Sequence, residues 1–231
     1  MRIRTVLFAI LALFAASQAC RASGTFYSTV SLDTTGLEGL ASFLGPFWVT
    51  FEFADGSGTL DGNNAVVVSG FEFGGGSPVP SPWIPSGGVG ISGSLDSGTV
   101  YMIDDDPFGF FAQQFWPGTT LSFRLRSTTN VDACPPPAIG CTYDQFTFGI
   151  MDSSFNYIPT TAGDGTDLLS LTLDDPVTPT VLTFGTDPDF WPFEALGPPL
   201  VSPTPEPATW LPAGLMILGG AFSRRRWRAR P

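Results

Sequence analysis

Histidine and lysine are absent from this chain, and cysteine occurs only three times in 231 residues. The first two absences exclude Ser-His-Asp and Cys-His arrangements, Ser-Lys dyads and Schiff-base chemistry, because each needs a neutral base or an amine that nothing else here supplies. Few cysteines and no histidine also make a poor zinc set. Positive charge is scarce in the body of the chain, where residues 23–202 hold twenty Asp and Glu but only two cations, Arg124 and Arg126. Such a surface has nothing with which to displace counterions from phosphates, so nucleic-acid binding is excluded. The acidity fits a protein kept soluble outside the cell. Carboxylate chemistry is what remains for an enzyme. A glycosidase needs two such groups, and Glu38, Glu52, Glu72, Glu194 and the run Asp104-Asp105-Asp106 are available, but their spacing selects no pair. The expectation is a protein with no catalytic residue and no cofactor.

Strand signals fill the body. Phe47-Trp48-Val49-Thr50-Phe51-Glu52-Phe53 ends in Asp55-Gly56, and Ala65 to Phe73 ends in three glycines; both are aromatic and β-branched runs closed by turn residues. In Thr119 to Ser127, Leu121, Phe123 and Leu125 point one way while Ser122, Arg124 and Arg126 point the other. Further candidates are Thr25 to Leu32, Gly90 to Leu95, Thr99 to Ile103, Asp144 to Met151, Leu168 to Leu173 and Thr180 to Phe184. Nine strands with turns between them and no helical periodicity outside the termini predict an all-β fold, an antiparallel β-sandwich or jelly roll. A short helix is expected near Phe108 to Phe115. Gly74 to Pro82, rich in glycine and proline, reads as a long exposed loop.

The two ends read as targeting signals. Arg2 and Arg4 precede an apolar segment from Val6 to Ala16 and then small residues, the order of a secretory signal peptide cut after Ala19 or Ala22. A lipoprotein reading would use Cys20, but Ser17-Gln18-Ala19 lacks the usual upstream leucine. At the other end, Pro205-Glu206-Pro207 is followed by an apolar run and then by Arg224, Arg225, Arg226, Arg228 and Arg230. The uncharged stretch from Pro207 to Ser223 would span about 25 Å as a helix, slightly short of a hydrocarbon core of about 30 Å. Trp210 and Trp227 flank it where amphipathic rings settle, and the arginines favour the cytoplasmic side.

Proline-glutamate-proline, an apolar run and a terminal arginine cluster, in that order, resemble the PEP-CTERM sorting signal of exported bacterial proteins. The resemblance implies a membrane protease of the exosortase type as partner, processing near the motif, and a host whose surface carries extracellular polysaccharide. Thr204 stands where that family often has valine. Phrases within the body, among them Phe71-Glu72-Phe73-Gly74-Gly75-Gly76, Pro117-Gly118-Thr119-Thr120-Leu121-Ser122-Phe123 and Asp144-Gln145-Phe146-Thr147-Phe148, are similar to those of one group of these proteins that has no assigned activity. The organisation expected is a signal peptide over 1–22, a β-sandwich over 23–196, a Pro-rich linker carrying the motif over 197–207, a transmembrane helix over 208–223 and an Arg-rich cytoplasmic tail over 224–231. The protein would be anchored in the membrane transiently or permanently, then reach the cell surface or the exterior.

Three further features bear on function. Cutting after Ala22 leaves two thiols, Cys134 and Cys141, around a stiff Pro-rich insert in an oxidising compartment, which points to a disulfide worth about 2–3 kcal/mol. The loop from Asp55 to Asn64 is rich in oxygen ligands for calcium, but Leu60 stands where an EF-hand-like loop needs glycine and no glutamate closes it, so a hairpin loop is expected and no metal site. Asp104-Asp105-Asp106 reads as a solvated turn. Trp83, Trp116 and Trp191, each beside a proline, are loop aromatics of the kind that stack on sugar rings, with burial in the core an equal alternative for Trp83 and Trp191, whereas Trp48, mid-strand, is expected in the core. A structural or adhesive role is expected, with a carbohydrate-binding or carbohydrate-active accessory role as the alternative.

Overall fold

A computed structural model describes residues 24–56, 60, 62–86, 90–130, 143–173, 179–193 and 195–204. The stretches expected to be a signal peptide (1–22) and a transmembrane helix (208–223) lie outside that set, and among the described residues no helix is long and apolar enough to cross a membrane. The protein is all-β, built of two antiparallel six-stranded sheets. Its twelve strands are β1 (Gly24–Asp33), β2 (Phe47–Ala54), β3 (Ala65–Glu72), β4 (Ser77–Ser86), β5 (Ser92–Ser94), β6 (Thr99–Ile103), β7 (Phe108–Trp116), β8 (Thr120–Thr129), β9 (Gln145–Met151), β10 (Leu169–Thr172), β11 (Thr180–Thr183) and β12 (Leu200–Pro203), with one helix, α1 (Thr35–Leu44), between β1 and β2. The first sheet runs β12-β1-β8-β3-β6-β5 and the second β11-β10-β9-β2-β7-β4. Most connections pass from one sheet to the other, so the two layers are laced together.

Phenylalanine makes the joint between them. Phe47, Phe51, Phe53, Phe111, Phe115, Phe123, Phe146 and Phe148 are all essentially inaccessible. Phe51 of β2 lies 5.9 Å from Phe111, 5.7 Å from Phe146 and 5.8 Å from Phe148 within its own sheet, and meets Phe123 of the facing sheet edge-on at 5.6 Å. Ring edges against ring faces suit the aromatic quadrupole and fill the gap between sheets densely. Strand alternation delivers these rings: Val49, Phe51 and Phe53 face inward because Trp48, Thr50 and Glu52 face out.

All nine strands read from the sequence are present, and three more were not foreseen. β7 replaces the helix expected near Phe108. Phe111, Gln113 and Phe115 are buried inward while Ala112 is buried on the other side, so a strand covered on both faces shows no clean alternation. The Gln113 amide is held there by accepting the Leu95 N–H at 2.7 Å and donating to Val79 O at 3.0 Å and Asp96 Oδ1 at 2.9 Å. β4 runs through the stretch expected to be loop. It pairs only with β7, with a register shift between Pro78 and Trp83, and an edge strand tolerates prolines because half of its N–H groups have no neighbour to meet. Gly76 and Gly118 let two turns touch there, since a Cβ would fall 2.0 Å from Trp116 O or 2.3 Å from Phe73 O respectively.

β12 lies in the stretch expected to be linker. It pairs with β1 from Ser28↔Pro203 to Ser31↔Leu200, and the Thr204 N–H still donates to Tyr27 O at 3.1 Å. Paired backbone therefore extends past residue 196 to within one residue of Pro205. α1 also departs from expectation. Leu37, Leu40, Ala41 and Leu44 form an apolar stripe at helical spacing, masked in the sequence by Gly36 and Gly39. Leu37 and Ala41 are buried in the core, and the helix stops at Gly45 (φ 80°), whose N–H reaches Ala41 O.

Phe51→Ala should cost about 3–5 kcal/mol, lowering the melting temperature by roughly 6–20 °C, because the cavity would open where both sheets meet. Phe43→Ala, at a residue 86 % exposed, should change it by no more than about 0.5 kcal/mol. Equal effects in thermal denaturation would show that the shared phenylalanine layer does not hold the sheets together.

Candidate functional site

The outward face of the second sheet is where unusual chemistry collects. Trp48 and Thr50 point away from the core yet are 3 % and 1 % exposed, because the chain from Met151 to Leu168 folds back over them. Gly149 permits this. It pairs with Thr50, and a side chain there would press within 3.0–3.1 Å of Thr50 Oγ1, Thr166 O and the Tyr157 ring.

One end of this covered patch is aromatic. Trp48, Ala112 and Met151, with Phe110 and Tyr157 against them, form a cluster separate from the main core. Trp48 is thus buried as expected, but on the outside of a sheet. Its cover is Phe155, whose ring centroid lies 4.3 Å from that of Trp48. Phe155 sits at φ 64°, in the left-handed region, a conformation that costs a bulky residue about 1–3 kcal/mol. Asp152 holds the turn in place: Oδ1 accepts the N–H groups of Ser154 at 2.8 Å and Asn156 at 3.0 Å. The Trp48 indole N–H is buried without an acceptor, which costs a further 1–3 kcal/mol or about that.

The other end is acidic. The Tyr157 hydroxyl donates a short hydrogen bond to Glu52 Oε1, and burial, then that bond, raise the tyrosine above its ordinary range so that it stays a donor. Asp167, 7 % exposed, is pushed up to about 7 by burial first, then by the negative charge of Asp164 and more weakly of Glu52, against a hydrogen bond from Thr147. Burial also acts to raise Asp164, but the N–H groups of Thr166 at 3.0 Å and Asp167 at 3.4 Å outweigh it and hold that carboxyl below its usual value. Near neutrality Asp167 can therefore donate as well as accept a proton.

Several residues singled out from the sequence fall elsewhere. Pro205, Glu206, Pro207, Trp210, Arg224, Arg225, Arg226, Cys134 and Cys141 lie outside the described residues, as do Glu194 and the side chain of Trp83. Trp191 is buried in the main core, edge-on to Phe193 at 5.0 Å, which corrects its reading as a loop platform. Trp116 stays 45 % exposed at the end of β7. Asp104 is no solvated turn: it is 2 % exposed and accepts the Asn64 N–H through both oxygens at 3.1 Å. Asn64 in turn donates to Asp144 Oδ2 at 2.6 Å, so this polar knot ties β3, β6 and β9 together. In the loop read for calcium, Leu60 does adopt the left-handed conformation at φ 51°, and its N–H donates to Asp55 Oδ2 at 2.8 Å. Among the described residues no three acidic or sulfur ligands gather as a metal site.

Glu52 was visible in the sequence as a carboxylate. Tyr157, Asp164, Asp167 and Phe155 were not, and the one local signal was Gly149, an isolated glycine inside a strand that marks a close approach of other chain. A groove of about 470 Å³, lined by Phe26, Val181, Leu200 and Val201 among others, lies elsewhere, between β12 and β11. No family model, no curated protein and no solved structure matches the chain.

The raised Asp167 has a signed consequence. Its folded value lies above the unfolded one, so stability from this group is complete below about pH 4 and is lost as pH rises through about 7. Asp167→Asn removes that penalty: its melting temperature relative to wild type should be higher at pH 8.5 than at pH 5. A difference that does not change with pH would show that Asp167 is not charged against its neighbours.

Proposed function

We propose that this chain is an exported β-sandwich protein, flanked before processing by a signal helix and a C-terminal transmembrane helix, and sorted to the cell surface or extracellular matrix by a PEP-CTERM signal. Its role there is structural or adhesive, in contact with extracellular polysaccharide, and not enzymatic. One observation carries the reading. Pairing with β1 persists to Thr204, and the next residues are Pro205-Glu206-Pro207, the apolar run and the arginines. The paired edge thus reaches the residue before the motif. The standoff of some ten residues expected for a Pro-rich linker shrinks accordingly, so an exosortase-type protease acting at the motif works against the β1–β12 edge.

The acidic composition supports the same reading, since a body with two cations and twenty carboxylates stays dispersed outside the cell once the arginine tail is gone. Cys134 and Cys141, bridged, would suit that compartment. The alternative, a carbohydrate-binding or carbohydrate-active accessory protein, is favoured by a different observation: Glu52 and Asp167 share one face beside a buried tryptophan, and the negative charge of Glu52 helps raise Asp167. A retaining or inverting glycosidase needs such a pair flanking a sugar.

Replacing Pro205-Glu206-Pro207 by three alanines in the native host should leave the protein in the inner-membrane fraction, while wild type reaches the surface or medium. Identical fractionation of the two forms would overturn sorting through this tail.

A further inference from the structure

We propose that Trp48 is the stacking platform of a binding site for an uncharged sugar ring, and that Phe155 is the movable cover that closes it when empty. The inference deepens the link to polysaccharide proposed above, but its geometry does not depend on how the protein is sorted.

Two features of the closed state go unused by the fold. The Trp48 indole N–H is 97 % shielded with its residue and has no acceptor, although a hydroxyl-rich ligand would supply one. Phe155 sits in a backbone conformation that a phenylalanine rarely adopts, is 47 % exposed, and among the described residues makes its ring contact with Trp48. A ring held in strain over an unsatisfied donor is released at little cost. Trp191 also buries an indole N–H without an acceptor and meets the partly exposed Phe193, but it belongs to the main core and Phe193 is not held in the left-handed conformation.

The neighbourhood selects the ligand class. An indole face offers stacking to the C–H face of a pyranose, and its N–H donates to a ring hydroxyl. Four residues along the same strand, Glu52 projects from the same face, half-buried and held by the Tyr157 hydroxyl, with Asp167 beyond it; both accept from sugar hydroxyls. A negatively charged uronate or sulfated sugar would face Glu52, Asp164 and Asp167 and, among the described residues, no cation on this patch, so a neutral hexose polymer fits and an acidic one does not.

The test uses the full chain in a zwitterionic detergent, titrated by calorimetry with cellohexaose, maltohexaose and, as the acidic counterpart, a hexagalacturonate. At least one neutral hexasaccharide should bind and the acidic one should not. Phe155→Asn keeps a residue at ease in the left-handed conformation and removes the cover, so it should bind about tenfold tighter, because less of the population is closed. Trp48→Phe, which keeps a ring but loses the N–H, should weaken binding at least fivefold while leaving the melting temperature within a few degrees. Absence of binding to both neutral sugars in wild type and in Phe155→Asn would overturn the proposal, as would binding unchanged in Trp48→Phe. Neither result would alter where the protein is sorted, and mis-sorting of the alanine variant would not alter the titrations.

Discussion

The contact of Phe51 with Phe123 across the two sheets is the constraint on which the other features rest. A pair of sheets with little charge inside must be held by dispersion and water exclusion, and here that work falls on flat rings packed at 5–6 Å between centroids. Once Phe51 is committed inward, the pleat turns Trp48, Thr50 and Glu52 outward, and everything distinctive about that outer face follows from the choice of residues on one strand.

An outer face bearing tryptophan beside glutamate is awkward in water and awkward when covered. The chain resolves it by folding the Met151–Leu168 segment over the patch, with Gly149 giving it room. Coverage is incomplete in a chemical sense: one indole donor is left without a partner, one carboxyl is lifted to about 7, and one phenylalanine is held in a left-handed turn. By contrast, the buried polar groups at Asn64, Asp104 and Gln113 are fully engaged in hydrogen bonds that pin strand ends. The first set is what the proposed sugar site would use, and the second holds the scaffold around it.

Much of the fold was legible because period-two alternation survives wherever one face of a strand is wet, as in Leu121 to Ser127. It failed where that condition fails. β7 is covered on both sides, so its Phe-Phe-Ala-Gln-Gln run imitates a helix. β4 and β12 are edge strands in which prolines hide the pairing, since only tertiary position makes a missing N–H harmless. α1 has the right spacing of Leu37, Leu40, Ala41 and Leu44 but two glycines against it. The site was less legible than the fold. Glu52 was one acid among many, and what singles it out is contact with Tyr157, 105 residues away in sequence. No local pattern encodes such a pairing.

Backbone pairing with β1 reaches Thr204, the residue before Pro205-Glu206-Pro207, and the proposed processing there would strip away five of the ten cations in the chain. The most direct measurement is the intact mass of the protein recovered from the surface or medium of its native host. The mass expected is that of a chain starting near Ser23 and ending close to Pro205-Glu206-Pro207, without the arginines. A mass that includes Arg224 to Arg230 would contradict it.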